Sequence, residues 1–139
     1  MFILKTLTPT DLPLLLNTAE DVFDNPLNKA YAKEFLEDPR HHIVAALIEN
    51  VIVGFVSAVH YIHPDKPPEL WINEAGVADA HQSKGIGKAL MKEMLELGKQ
   101  LGCANAWVLT EKDNAAANGL YKAVGGANND VVLYEFGLK

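Results

Sequence analysis

The amino-acid sequence predicts an α/β domain with strands and helices in the order βααβββαβαβ, a central sheet flanked by helices. Three observations predict it. Short β-rich runs alternate along the chain with runs of helical period. A glycine-rich turn at residues 82–89 follows a strand-like run and opens a long amphipathic helix, as strand–turn–helix units of α/β chains do. Finally, 139 residues, 49% of them apolar, suffice for one core but leave little room for a second. A single domain over residues 1–139 is expected.

Residues 2–6 read as the first strand. Thr8-Pro9-Thr10-Asp11 supplies a cap and an early proline for a helix through about Val22. Residues 27–36 form the second helical pattern, which stops before Asp38-Pro39 because the residue ahead of a proline disfavours helix. Residues 42–48 and 51–61 are β-rich, and Glu49-Asn50 between them signals a tight hairpin. Residues 63–68 hold three prolines in a loop. A strand follows at 70–77, then a helix from Gly85 to about Leu101 with Ile86, Leu90, Met94, Leu97 and Leu101 on one face. Residues 105–110 read as a strand, 114–123 as a helix and 131–136 as a final strand. There are no repeats, low-complexity tracts or linkers.

Composition removes several function classes. A net charge of −6 and a single arginine, Arg40, argue against a nucleic-acid surface. No uncharged run approaches the roughly 20 residues that span a membrane, and the first residues lack the basic and small-residue features of a signal peptide. The lone Cys103 can form no internal disulfide and suits a reducing cytoplasm. In a Gly-Cys-Ala segment between helix and strand it reads as a small buried filler rather than a nucleophile. No metal is expected. The charge is uneven: residues 11–50 carry eight acids against Lys29, Lys33 and Arg40, which is five of the six net negative charges. Such a segment attracts a cationic substrate, or simply solvates two helix faces.

The turn Gln82-Ser83-Lys84-Gly85-Ile86-Gly87-Lys88-Ala89 carries the most chemistry. A glycine-rich turn at a helix start gathers free N–H groups at the positive end of the helix dipole, a site suited to a pyrophosphate. Lys84 and Lys88 add positive charge, and Gly85 and Gly87 permit close backbone approach. A P-loop needs four residues between its glycines and then Lys-Ser/Thr, whereas here one residue separates the glycines and Ala follows Lys88. A dinucleotide fingerprint needs a third glycine where Leu90 stands. The pattern that fits is Gln/Arg-x-x-Gly-x-Gly/Ala.

In that pattern the turn resembles the acetyl-CoA pyrophosphate loop of the GCN5-related N-acetyltransferase (GNAT) superfamily. A second motif, Asn114-Ala115-Ala116-Ala117-Asn118-Gly119-Leu120-Tyr121 followed by Gly125-Gly126, is similar to the family's Asn-x-x-Ala-x-x-Leu-Tyr, with Gly126 in place of the usual Phe. Two motifs in the right order are far more specific than one, and the resemblance spans nearly the whole chain. Segments Glu74-Ala75-Gly76-Val77 and Thr110-Glu111-Lys112-Asp113-Asn114 look most like the small aminoglycoside 3-N-acetyltransferases of type I. The resemblance implies the GNAT fold, a mixed twisted sheet of about six to seven strands, with acetyl-CoA as co-substrate and direct transfer in a ternary complex. It also implies a possible homodimer built through the late strands.

Acetyl transfer needs the thioester held, the ammonium deprotonated, the oxyanion stabilised and the thiolate protonated. By the resemblance, backbone amides of Ala75, Gly76 and Val77, with Ala78 completing the turn, pair with the pantetheine arm like another strand. Residues Gln82 to Ala89 hold the pyrophosphate, and Asn114 and Ala117 face the pantetheine. Gly76 within a strand marks a bulge, a kink or the close approach of a ligand. Glu74 is the candidate base: it interrupts an apolar strand where the thioester carbonyl should lie, although a strand can also point a Glu to solvent. His60 and His63 are alternative bases or structural histidines. Tyr121 is the candidate acid, or an aromatic packed under the cofactor, and Asn114 can also be a helix cap. Three functions follow: acetylation of a small cationic amine such as an aminoglycoside, acetylation of a protein or peptide amine, and acetyl-CoA sensing without catalysis.

Overall fold

A computed structural model describes all residues, Met1–Lys139. The elements are β1 (Ile3–Thr6), α1 (Leu12–Leu16), α2 (Lys29–Glu37), β2 (His41–Ile48), β3 (Val51–Tyr61), β4 (Glu69–Val77), α3 (Ile86–Gln100), β5 (Asn105–Val108) and α4 (Ala115–Ala123). The sheet has five strands in sequence order. β1 to β4 are antiparallel neighbours and β5 runs parallel to β4, so the sheet is mixed as expected.

Local chemistry explains most boundaries. Glu49 and Asn50 both take positive φ, 50° and 64°, the two-residue turn whose twist matches that of the strands it joins. Asn28 caps α2 by accepting the Tyr31 amide at 3.0 Å, and Asn114 caps α4 by accepting the Ala117 amide at 3.0 Å. Helix α4 stops in a Schellman motif: Gly125 has φ 95°, its amide reaches Lys122 O, and the Gly126 amide reaches Tyr121 O at 2.9 Å. A Cβ on Gly126 would lie 2.9 Å from that same carbonyl, so the backbone demands glycine where the family pattern has phenylalanine.

The core is a cluster around β2 and β3, with Val44, Val56, Ile52 and Ala58 fully enclosed. Ile86, Leu90, Met91 and Met94 of α3 close one face of it. The i, i+4, i+8 spacing turns three of these toward the sheet.

Two expectations are corrected. The first helix does not run to Val22 but ends at Leu16. The Thr18 hydroxyl donates to the Leu15 carbonyl, Thr18 bridges Ile52, and the Ala19 amide donates to Ile52 O at 2.9 Å. Sheet hydrogen bonds therefore replace helical ones where Asn17 and Thr18, weak helix formers, stand. The second correction concerns strand number: there are five, not six to seven. Residues 131–136, predicted as the final strand, pair with nothing and have no regular structure. A strand is defined by its ladder, and these residues have no ladder partner within the chain.

Candidate active site

β4 is regular only where it touches β5. Glu69 to Ile72 pair with Asn105 to Val108, and from Asn73 onward β4 has no neighbour on that side. A bulge coincides with the split: Ser57 faces Glu74 but Ala58 faces Ile72, leaving Asn73 as the extra residue. A bulge bends its strand and re-aims side chains. Asn73 and Glu74 consequently line the same cleft, of about 760 Å³, with Asp24, Asn28, Tyr31, Phe35, His41 and Ser57. Glu74 is exposed there and makes no hydrogen bond or ion pair with the protein, so its carboxylate is open to a ligand.

The amides beyond the bulge divide into two sets. The Ala78 N–H is committed to Val53 O at 2.8 Å, and the Asp79 N–H to Asp21 Oδ2 at 2.7 Å. Neither can serve a ligand. Alternation along the ladder turns the Gly76 N–H toward Phe55 of β3, as it does that of Ala78, and leaves the Ala75 and Val77 N–H groups on the open side where β5 has diverged. Gly76 has its reason within the chain: a Cβ would collide with the Val22 carbonyl and lie 3.1 Å from Phe55 Cε1. The close approach anticipated at this glycine is that of the chain's own backbone.

The glycine-rich turn follows. Gln82 holds its base, donating from Nε2 to Val77 O at 3.1 Å and to Asp79 Oδ1 at 3.2 Å. Ser83 and Gly85 take φ of 62° and 81°. The first helical bond of α3 runs from the Ala89 amide to Gly85 O at 3.1 Å. The amides of Ser83, Lys84, Gly85, Ile86, Gly87 and Lys88 therefore donate to no protein acceptor and converge at a helix start. Ile86 is buried beneath the turn and anchors it. A Cβ on Gly87 would meet Leu120 Cδ2 of α4 at an ordinary 3.5 Å, so packing alone leaves space there. Leu120 therefore lies beside Gly87, and α4 packs on the first turn of α3, which brings the two motifs together.

On α4, burial pushes the Tyr121 phenol above its usual pKa, so it keeps its proton at neutral pH. Asn114 Oδ1 is committed to the cap, which leaves its Nδ2 free. Asn118 ties the preceding turn by donating from Nδ2 to Glu111 O at 3.0 Å and Asn114 O at 2.8 Å, a role the sequence reading missed. The alternative bases sit elsewhere. His60 Nδ1 lies 2.7 Å from His42 Nε2, and His63 Nε2 lies 2.8 Å from Glu69 Oε2. Neither lines the cleft; His41 does. Burial first, then the Glu69 carboxylate, pushes the Cys103 thiol up, which makes it a poor nucleophile.

The acidic segment is split between two surfaces. Asp24 reaches the cleft, whereas Glu34, Glu37 and Asp38 line a separate basin with Lys33. The helical period decides it: residues 28, 31, 32 and 35 turn toward the cleft, and 30, 33, 34 and 37 toward the basin. The acidic segment therefore does not form one surface: only part of it is placed to meet a cationic substrate in the cleft.

Residues 12–125 match the Acetyltransferase (GNAT) family. The chain belongs to that family. Among curated relatives, it is 30% identical over 104 residues to the N-alpha-acetyltransferase RimI of Mycobacterium tuberculosis, covering 75% of this chain and 63% of that protein. The chain spans between 34% and 63% of the length of the curated relatives it matches. In fold it resembles an aminoglycoside acetyltransferase from an uncultured soil metagenomic sample, meta-AAC0020, solved in complex with sisomicin. The TM-score is 0.87 at 22% identity, over 99% of this chain and 97% of that one. Aminoglycoside N-acetyltransferase AAC(6′)-Iy in complex with CoA has a TM-score of 0.82 at 17% identity, over 100% and 96% of the two chains.

Proposed function

We propose that this GNAT-family chain is a single-domain acyltransferase that moves an acetyl group from acetyl-CoA to a primary amine of a small cationic acceptor, with aminoglycosides as one candidate class. The observation that carries the proposal is a set of groups left without protein partners along one stretch of chain: the amides at Ser83 to Lys88, the open side of β4 at Ala75 and Val77, and Glu74 of the same strand in an open cleft. Amides and positive helix end suit a pyrophosphate, and a free strand edge suits the amide-bearing pantetheine arm. Family relatives solved with CoA support the same co-substrate.

In this reading Asp24 and Glu74 hold the acceptor as an ammonium between two carboxylates. Glu74 then takes its proton, directly or through one water. The free amine attacks the thioester carbonyl, forming the C–N bond. Amides of β4 stabilise the oxyanion. As the C–S bond breaks, Tyr121 gives its proton to the leaving sulfur and is reprotonated, through water, by the second proton that the acetylated nitrogen loses as the neutral amide forms. Tyr31, Phe35 and His41 supply aromatic surface on the cleft wall against which the acceptor can pack. Glu74 and Tyr121 together argue against a sensor without catalysis.

A second reading has its own support: the relationship to RimI favours a protein or peptide amine, whose end could enter the same cleft. A thiol-release assay over polyamines, aminoglycosides, peptide N-termini and uncharged amines separates the two. Turnover confined to small polycations supports the proposal; turnover confined to peptides transfers the site to the second reading; none anywhere overturns both. The lone cysteine suits a cytoplasmic location, and the exposed apolar residues 131–136, unpaired in this chain, support a homodimer.

A further inference from the structure

Beyond the cleft, the same face of the sheet carries aromatic rings that acetyl transfer itself does not use. His41 of β2, Val59 of β3, Trp71 of β4 and Trp107 of β5 form one row of facing residues across the sheet. Residues that face each other across strands share one side of the sheet, and His41 lines the cleft. The row therefore leads out of the cleft floor. Along β4, Trp71 and Asn73 stand on this side, while Leu70 and Ile72 turn to the other, where Leu70 lies against Gly98 of α3. The Trp71 and Trp107 rings stack with centroids 5.2 Å apart and planes 11° from parallel. Trp107 is held in place: its indole N–H donates to the Tyr61 hydroxyl at 2.8 Å, and Tyr61 meets the His63 ring edge-on at 5.1 Å. Trp71 is 39% exposed. Two indoles fixed nearly parallel on an open face make a rigid apolar platform. Carboxylates bracket it along β4, Glu69 on one side, in contact with His63 at 2.8 Å, and Glu74 on the other.

We propose that the Trp71–Trp107 platform is a second acceptor subsite, which takes the next ring of a multi-ring amino sugar while the first ring presents its amine to Glu74. The proposal rests on the small-cation reading of the cleft and narrows it to acceptors of two or more rings. Spacing supports it. Trp71 lies about 10 Å from Glu74 along β4, so a group on the platform can belong to the same acceptor but not to the reacting ring. Chemistry supports it as well. A pyranose or cyclitol ring offers a flat C–H face that covers an indole, and its ammonium groups gain cation–π attraction, for which tryptophan is the best partner. Glu69 and Glu74 then supply opposite charge at the two ends of the platform. A linear polyamine brings the charge but no face to lay on the rings, so it gains less there. Continuity with the cleft and complementary charge together single out this occupant.

Trp71 and Trp107 are the only tryptophans in the chain, so intrinsic emission reports the platform alone. The full chain with CoA is titrated with neamine, which has two rings, with 2-deoxystreptamine, one of those rings, and with spermidine. Neamine should change the emission saturably, and the other two should leave it nearly unmoved. In thiol-release kinetics, Trp71→Ala should raise the ratio of KM for neamine to KM for 2-deoxystreptamine about tenfold, with the loss in KM rather than kcat. Trp71→Tyr, which keeps an aromatic face, should recover most of that difference. A general loosening of the sheet would move both KM values together and leave their ratio alone. Turnover of neamine with unmoved emission, or an unchanged KM ratio in Trp71→Ala, overturns the subsite and leaves acetyl transfer standing. A response to spermidine as strong as that to neamine does the same. So does ligand-free emission that depends on protein concentration, which would place a second copy on the platform. No turnover with any amine overturns the acetyl-transfer reading itself, and the subsite with it.

Discussion

At the scale of residues, the account turns on a few side chains that the fold leaves without partners. Tyr121 makes no side-chain hydrogen bond, so Tyr121→Phe orphans no buried group and should fold as the parent does. If its phenol protonates the leaving thiolate, kcat should fall on the order of 100-fold while acetyl-CoA affinity holds. Unchanged turnover in a thiol-release assay would show that solvent supplies the proton. Asp24 stands at the cleft with no protein partner, so its charge is available to the acceptor. Asp24→Asn should raise KM for a polycationic amine, with little change in kcat, the mark of lost uniform binding. The rise of KM with added salt should also become shallower, because screening then has one less attraction to weaken. Equal salt slopes for the two proteins would exclude Asp24 from acceptor binding. Glu34→Gln with Glu37→Gln serves as the control, since these carboxylates face the other basin.

At the scale of elements, β2 and β3 carry a pH-sensitive contact. His42 lies 2.7 Å from His60 between the two strands. Burial, then the His60 and His41 rings, lowers its pKa to about 4. In the unfolded chain it takes up a proton near pH 6.5. Between those values the unfolded state binds more protons, so stability should fall as pH drops from 6.5 toward 4. His42→Gln should flatten the Tm profile in that window, and parallel profiles would assign the pH dependence to other groups. The elements also show what was legible in the sequence. The Glu49-Asn50 turn, the strands it joins, the glycine-rich turn and the Asn114 cap were readable because each depends on residues close in sequence. The Asn73 bulge was not, because an extra residue is defined only by the register of β3 opposite it. The early end of α1 was hidden for the same reason: Thr18 and Ala19 leave the helix to bond Ile52, far along the chain. The sorting of acids on α2 was within reach, since the 3.6-residue period alone separates Tyr31 and Phe35 from Glu34 and Glu37.

At the scale of the whole molecule, the parts named in the sequence meet at one place. The turn before α3 and the side of α4 meet where Leu120 lies beside Gly87, and β4, which splits from β5, leads directly into that turn. The strand predicted at 131–136 fails for a different reason: its composition is β-rich and apolar, but a strand needs a ladder, and no edge of this sheet pairs with it. The central claim is that the amides of Ser83 to Lys88 hold the pyrophosphate of acetyl-CoA. Gly87→Asp isolates that claim. A Cβ meets only an ordinary contact there, and an aspartate in the first turn of a helix is favourable to the helix dipole. The variant should therefore fold while placing a carboxylate against the phosphates. The decisive measurement is Tm against acetyl-CoA concentration for both proteins. The parent should gain stability steadily with ligand and Gly87→Asp should gain almost none; a parent whose Tm ignores millimolar acetyl-CoA, or a variant that follows it equally, contradicts the account.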